Sequence, residues 1–150
     1  MSFNTIAGEI IHGIDIDEVY NSSDWSSRDK IKEYIKDYTV LLDCKKQLKM
    51  CDSNSNKDIC MDELAIKIIK HFYGFNSDKN IADYKNYIKS VSKAYGVVYC
   101  LNKYDNFAGS TCEQEVMYKV ILTTKQYIED MLSEIEQENK DFVFLQDYKP

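Results

Sequence analysis

The sequence predicts an all-α protein, a single helical bundle built around one buried helix with a short extended N-terminal arm, and three observations carry that prediction. Apolar residues recur at helical spacing through several long segments. Proline occurs once and glycine five times in 150 residues, so little interrupts a helix. One stretch, Asp83 to Tyr104, changes character halfway. In its first half Tyr84, Tyr87, Ile88 and Val91 share a face, with lysines and serines between them. Its second half, Ala94-Tyr95-Gly96-Val97-Val98-Tyr99-Cys100-Leu101, carries no charge on any face. A helix apolar all round is a buried helix. The expected organisation is therefore an extended arm over residues 1–25 and a helical bundle domain over 26–150, packed about this central helix. Gly96 costs such a helix about 1 kcal/mol relative to alanine, which close approach of a neighbouring helix would offset.

The elements follow in order. Ile10-Ile11-His12-Gly13-Ile14-Asp15-Ile16 alternates and reads as a strand or an extended arm. Ser22-Ser23-Asp24-Trp25 breaks it, and Trp25 sits where it would staple the next helix from outside its first turn. Ser26-Ser27-Arg28-Asp29 is a helix start, a serine cap with an acid after it. The helix runs to about Met50 on a stripe of Ile31, Tyr34, Ile35, Tyr38, Leu41, Leu42 and Cys44. Cys51 to Asp58 is a loop by composition. A second helix, about Ile59 to Tyr73, faces Met61, Leu64, Ile68 and Phe72 inward. Gly74 is its expected C-cap, with His71 in the last turn. Asn76 to Asn80 reads as a loop capping a short helix that leads into the central one. Asp105 to Ser110 turns the chain, and Thr111-Cys112-Glu113-Gln114 is a capping box. The last helix runs to about Asn139 on Val116, Met117, Val120, Ile121, Tyr127, Ile128, Met131, Leu132 and Ile135. Thr123-Thr124 marks a bend or break. Phe142 to Leu145 is an apolar patch expected to fold back.

Composition narrows the function. Hydrophobic residues at 44% suffice for a sizeable core, and the net charge is −6. That charge argues against nucleic acid and against an acidic membrane surface as partner. No run approaches the length of a membrane span, and the first residues lack a basic start followed by an apolar core. Cys44, Cys51, Cys60, Cys100 and Cys112, an odd number at irregular spacings, read as free thiols of a reducing compartment, the cytosol or nucleus.

No catalytic motif stands out, and no cofactor is implied. Asp52, Asn54, Asn56, Asp58 and Glu63 fall at ligand positions of an EF-hand calcium loop, with Ile59 where such loops put an aliphatic residue. Lys57 stands where that loop turns sharply and needs glycine. A polar loop makes such a pattern by chance, so metal ligands are not assigned. Cys44, Cys51, Cys60 and His71 lack the close pairs of a structural zinc site. Neither His12 nor His71 lies in a segment suited to a Cys/His nucleophilic pair. The acidic end of the last helix, Glu129 to Glu138, reads as a solvated face or a lure for a basic partner.

Taken as an ordered set, four features resemble the poxviral Bcl-2-like family of intracellular innate-immunity antagonists. Ser27-Arg28-Asp29 opens a helix containing Glu33-Tyr34-Ile35. Asp62-Glu63-Leu64-Ala65-Ile66 begins a run that closes on Phe72-Tyr73-Gly74. Tyr95-Gly96 lies in the central helix, and Tyr127 to Leu132 in the closing one. The resemblance covers about residues 26–140. It implies a Bcl-2-like helical bundle around a buried central helix, and function by binding, without chemistry, to a host signalling protein in the cytoplasm or nucleus, with suppression of NF-kappa-B or interferon activation. Exposed parts of the first and last helices are the expected surface, and the resemblance leaves homodimerisation open. Some family members instead grip death-promoting helices in a groove. Those usually carry Asn-Trp-Gly-Arg at the start of the central helix. Here the run is Ala94-Tyr95-Gly96-Val97, so Val97 replaces the pairing arginine and the signalling reading is favoured. The remaining alternative is a calmodulin-like or myosin-light-chain-like protein that uses its one calcium loop to grip a target helix.

Overall fold

The computed structural model describes residues 10–21, 27–102, 110–139 and Leu145, with backbone alone at 101, 102, 110 and 111. Of these, 89% are helical, in five helices accompanied by a small two-stranded sheet. The chain is all-α, as its apolar spacing requires. Residues group into two compact units, one of 1–45 with 133–150 and the other of 46–132.

The first unit opens on a hairpin. Strands β1 (Ile10–Ile11) and β2 (Ile14–Asp15) pair antiparallel, with Ile11 opposite Ile14. The two residues between them, His12 and Gly13, have φ of 51° and 82°. Positive φ at both turn positions is the geometry that matches strand twist in the tightest hairpins. The chain does not stay extended after it. Helix α1 (Ile16–Asn21) starts at once, because Asp15 Oδ1 accepts from the backbone N–H groups of Asp17 at 2.9 Å and Glu18 at 3.3 Å. An aspartate cap here supplies the orphan donors with a partner. The arm expected over 1–25 is therefore, where described, a hairpin and a short helix. Trp25 and Ser26 lie outside the described residues.

Helix α2 (Arg28–Asp52) is capped by Ser27, whose Oγ accepts from Lys30 N–H at 3.1 Å. Its buried residues in this unit are Ile31, Ile35, Tyr38, Leu41 and Cys44, spaced by three or four. Arg28 holds α1 from the side: its Nε lies 3.1 Å from Asp17 Oδ1 and its guanidinium stands over the Tyr20 ring. Lys45 pairs with Glu136 on α5 (Ser110–Glu138). Ile135 and Leu145 are also buried. Leu145 thus bears out the return of the tail at that residue; Phe142 to Phe144 lie outside the described residues.

The second unit holds the end of α2, then α3 (Lys57–Phe72), α4 (Ser77–Gly96) and most of α5. Met61, Leu64, Ala65, Ile68 and Ile69 form the buried stripe of α3. Each such side chain is worth about 1.5–3 kcal/mol against leaving it in water. Gly74 is not a left-handed cap. Among the described residues only His12 and Gly13 have positive φ, and Gly74 instead begins a 3-10 turn (Gly74–Asn76) that carries the chain straight into α4. Tyr73 N–H closes α3 by donating to Ile69 O at 2.9 Å. The expected loop and short helix after it are absorbed into α4. The last helix is unbroken at Thr123-Thr124, since their hydroxyls donate to the carbonyls of Lys119 and Val120 within the same helix, at 2.8 and 2.9 Å. The capping box at its start rests on Thr111, whose side chain is not described.

The central helix departs most from expectation. Tyr84, Gly96 and Cys100 are buried, but Val97 and Val98 are 41% and 51% exposed. After Gly96 the helix widens into one π turn (Val97–Asn102). The segment is uncharged because one side is packed and the other lines a surface hollow. It is not enclosed.

Candidate functional site: an apolar groove between α4 and α5

Two helix faces make the hollow. Ser92, Lys93, Gly96, Val97 and Cys100 recur at the spacing of one face of α4 and its π turn. Glu113, Val116, Met117 and Val120 do the same on α5. Together they enclose about 600 Å³ of open, mainly apolar space. Gly96 presents no side chain, which deepens the floor. Val97 and Met117, 41% and 48% exposed, are its uncovered walls. Lys93 and Glu113 set one charge of each sign in its lining.

A disulfide joins the two faces. Cys100 and Cys112 are bonded, with Cα atoms 5.3 Å apart, and both are buried. A second disulfide joins Cys51 to Cys60 across the α2–α3 connection. The expectation of five free thiols is therefore corrected: of the five, Cys44 alone is outside a disulfide, and it is buried. The cysteines accordingly give no argument for a reducing compartment. A signal was present in the sequence. Each pair brackets a predicted loop between two predicted helices, which is where two thiols are brought together by a helical hairpin.

Beside the groove, the same helices meet through tyrosines. The Tyr84 ring packs on Tyr127 at 5.2 Å between centroids, and Tyr87 on Tyr127 at 5.7 Å. Tyr84 donates its hydroxyl to Asp62 Oδ1 at 2.9 Å, tying α4 to α3. Burial, reinforced by that hydrogen bond and the Asp62 charge, holds the Tyr84 hydroxyl well above the usual tyrosine range. Burial also raises Tyr127, with the Asp83 charge adding to it. These rings are positioned to pack rather than to react. A smaller hollow of about 340 Å³, lined in part by Tyr87, Leu122 and Tyr127, adjoins them.

The residues of the would-be calcium loop are spent otherwise. Asp52 Oδ2 accepts from Lys125 Nζ at 2.7 Å. Asn54 Oδ1 accepts from Asn56 N–H at 2.8 Å, a tight local turn. Asp58 lies in the first turn of α3, and Glu63 lines a separate cleft. Among the described residues no group of three or more His, Cys, Asp or Glu side chains is placed to hold a metal. The Cys44, Cys51, Cys60 and His71 grouping has two of its three sulfurs in a disulfide, so Cys51 and Cys60 offer no thiolate to zinc. Among the described residues no helix is long and apolar enough to cross a membrane. No protein-family model, no curated protein and no solved structure matches the chain.

Proposed function

We propose that this protein acts by binding another protein, without covalent chemistry, and that the groove between α4 and α5 is its contact surface. The observation that carries the reading is the pair of uncovered apolar walls, Val97 and Met117, facing a hollow of about 600 Å³. Exposed apolar hollows of this kind are where soluble proteins take up partners. Among the described lining residues only Lys93 and Glu113 ionise, and Cys100 is disulfide-bonded, so the lining offers apolar contact and no nucleophile.

The resemblance to poxviral Bcl-2-like proteins supplies the finer proposal. The fold is a bundle of that kind, and the partner is a host signalling component whose capture, in the cytoplasm or nucleus, suppresses NF-kappa-B or interferon activation. Val97 supports this over capture of death-promoting helices. By the motif comparison, Val97 stands in place of the arginine that pairs with the aspartate of such a helix.

Expression in cells carrying NF-kappa-B and interferon reporters tests the reading. Wild-type protein is expected to lower at least one stimulated reporter. Val97→Asp with Met117→Asp, which puts charge on both walls, should restore it while the purified variant keeps its helical circular dichroism. Unchanged reporters with wild type, or full repression by the variant, sink the proposal. Sub-micromolar binding of a pro-death helical peptide would replace it with the anti-death reading.

A further inference from the structure

We propose that Cys60 is a thiol–disulfide exchange site for a small zwitterionic thiol of the glutathione class, with Cys51 as its resolving partner. Cys51 lies in the last turn of α2 and Cys60 is the fourth residue of α3, their Cα atoms 5.5 Å apart. The two sulfurs differ in access. Cys51 is 1% exposed, whereas Cys60 is partly open to solvent. Both border a cleft of about 400 Å³ whose lining includes Gln47, Asn54, Glu63 and Lys67, and Cys60 is the more exposed of the two there. Lys67, which donates to Gln47 Oε1 at 3.3 Å, and Glu63 place a cation and an anion in that lining, matching the carboxylates and ammonium of such a thiol. The other disulfide is the contrast within the same chain: Cys100 and Cys112 are 2% and 0% exposed.

The chemistry balances through one mixed disulfide. In the reduced chain, the Cys60 thiolate attacks a sulfur of glutathione disulfide. That S–S bond breaks, one glutathione leaves as thiolate, and the other stays on Cys60. Cys51 gives its proton to water, attacks the Cys60 sulfur, and expels the second glutathione. Two electrons pass from the cysteine pair to the tripeptide. Reduction runs the same steps backward, beginning with attack at the accessible Cys60 sulfur.

The test is to expose the oxidised wild-type chain to glutathione, block thiols with N-ethylmaleimide at intervals, and map the peptides by mass. Cys51–Cys60 is expected to open at least about tenfold faster than Cys100–Cys112. Equal rates, or the reverse order, overturn the proposal without need of any variant. In Cys51→Ser, glutathione disulfide should leave a lasting adduct on Cys60. In Cys60→Ser, the freed Cys51 should stay unmodified. Modification of Cys51 at the rate of Cys60 overturns the assignment of the reactive sulfur.

Discussion

Tyr84 combines an apolar ring buried beside Tyr127 with a hydroxyl that reaches the Asp62 carboxylate. A hydrogen bond to a charged acceptor contributes about 1.5–3 kcal/mol, so Tyr84→Phe should destabilise by an amount near the lower end, read from urea midpoints. The pH dependence has a definite sign. A hydroxyl whose folded pKa lies above its unfolded value of 10.0 stabilises the fold while both states stay protonated. Above that unfolded value the unfolded chain has lost its proton and the folded one has kept it, so stability falls as pH rises. Tyr38 and Tyr127 are shifted in the same direction, chiefly by burial. The urea midpoint should therefore decline from pH ~9 to pH ~11, and Tyr84→Phe should flatten part of that decline. An unchanged slope in the variant would show that Tyr84 is not among the groups responsible. Nothing in the spacing of Asp62 and Tyr84 forecast their bond, because it depends on how α3 and α4 lie against each other.

Helices α2 and α5 show how far local chemistry carries. The serine signal at 26–27 is satisfied by Ser27, whose Oγ takes the Lys30 N–H. Ser27→Ala should cost about 1 kcal/mol in the chemical denaturation of the whole chain, and Ser27→Asp should not. The stripe read along α2 is buried at Ile31, Ile35, Tyr38, Leu41 and Cys44, as a 3.6-residue period demands. Other local signals misled. Thr123-Thr124 suggested a break, but threonine hydroxyls bonded to carbonyls one turn back leave the helix whole. Gly74 suggested a stop, yet its backbone takes a right-handed 3-10 turn that any residue can adopt. The alternation at Ile10 to Ile16 was legible as strand, but the helix after it depended on Asp15 capping its own neighbours.

For the whole molecule, the two disulfides alter what reduction should do. They close sequence separations of 9 and 12 residues. Loops of that length lose about 2–3 kcal/mol of unfolded-state entropy each in the chain-entropy description. Adding a phosphine reductant should then lower the thermal midpoint by roughly 10 °C, followed by circular dichroism at the helical minimum. A midpoint indifferent to reductant would mean that the pairs do not staple the folded chain.

What the sequence by itself determined was the all-α class, the existence of the long helices and most of their inward faces. Those follow from periodicity and from the scarcity of proline and glycine, which act over a few residues at a time. Tertiary structure alone decided that Asp52 is held by Lys125 seventy-three residues away, and that Val97 and Val98 stay uncovered. An uncharged stretch records only that water is not strictly required there. Whether a neighbour covers it depends on where a distant helix packs, and no local pattern encodes that position.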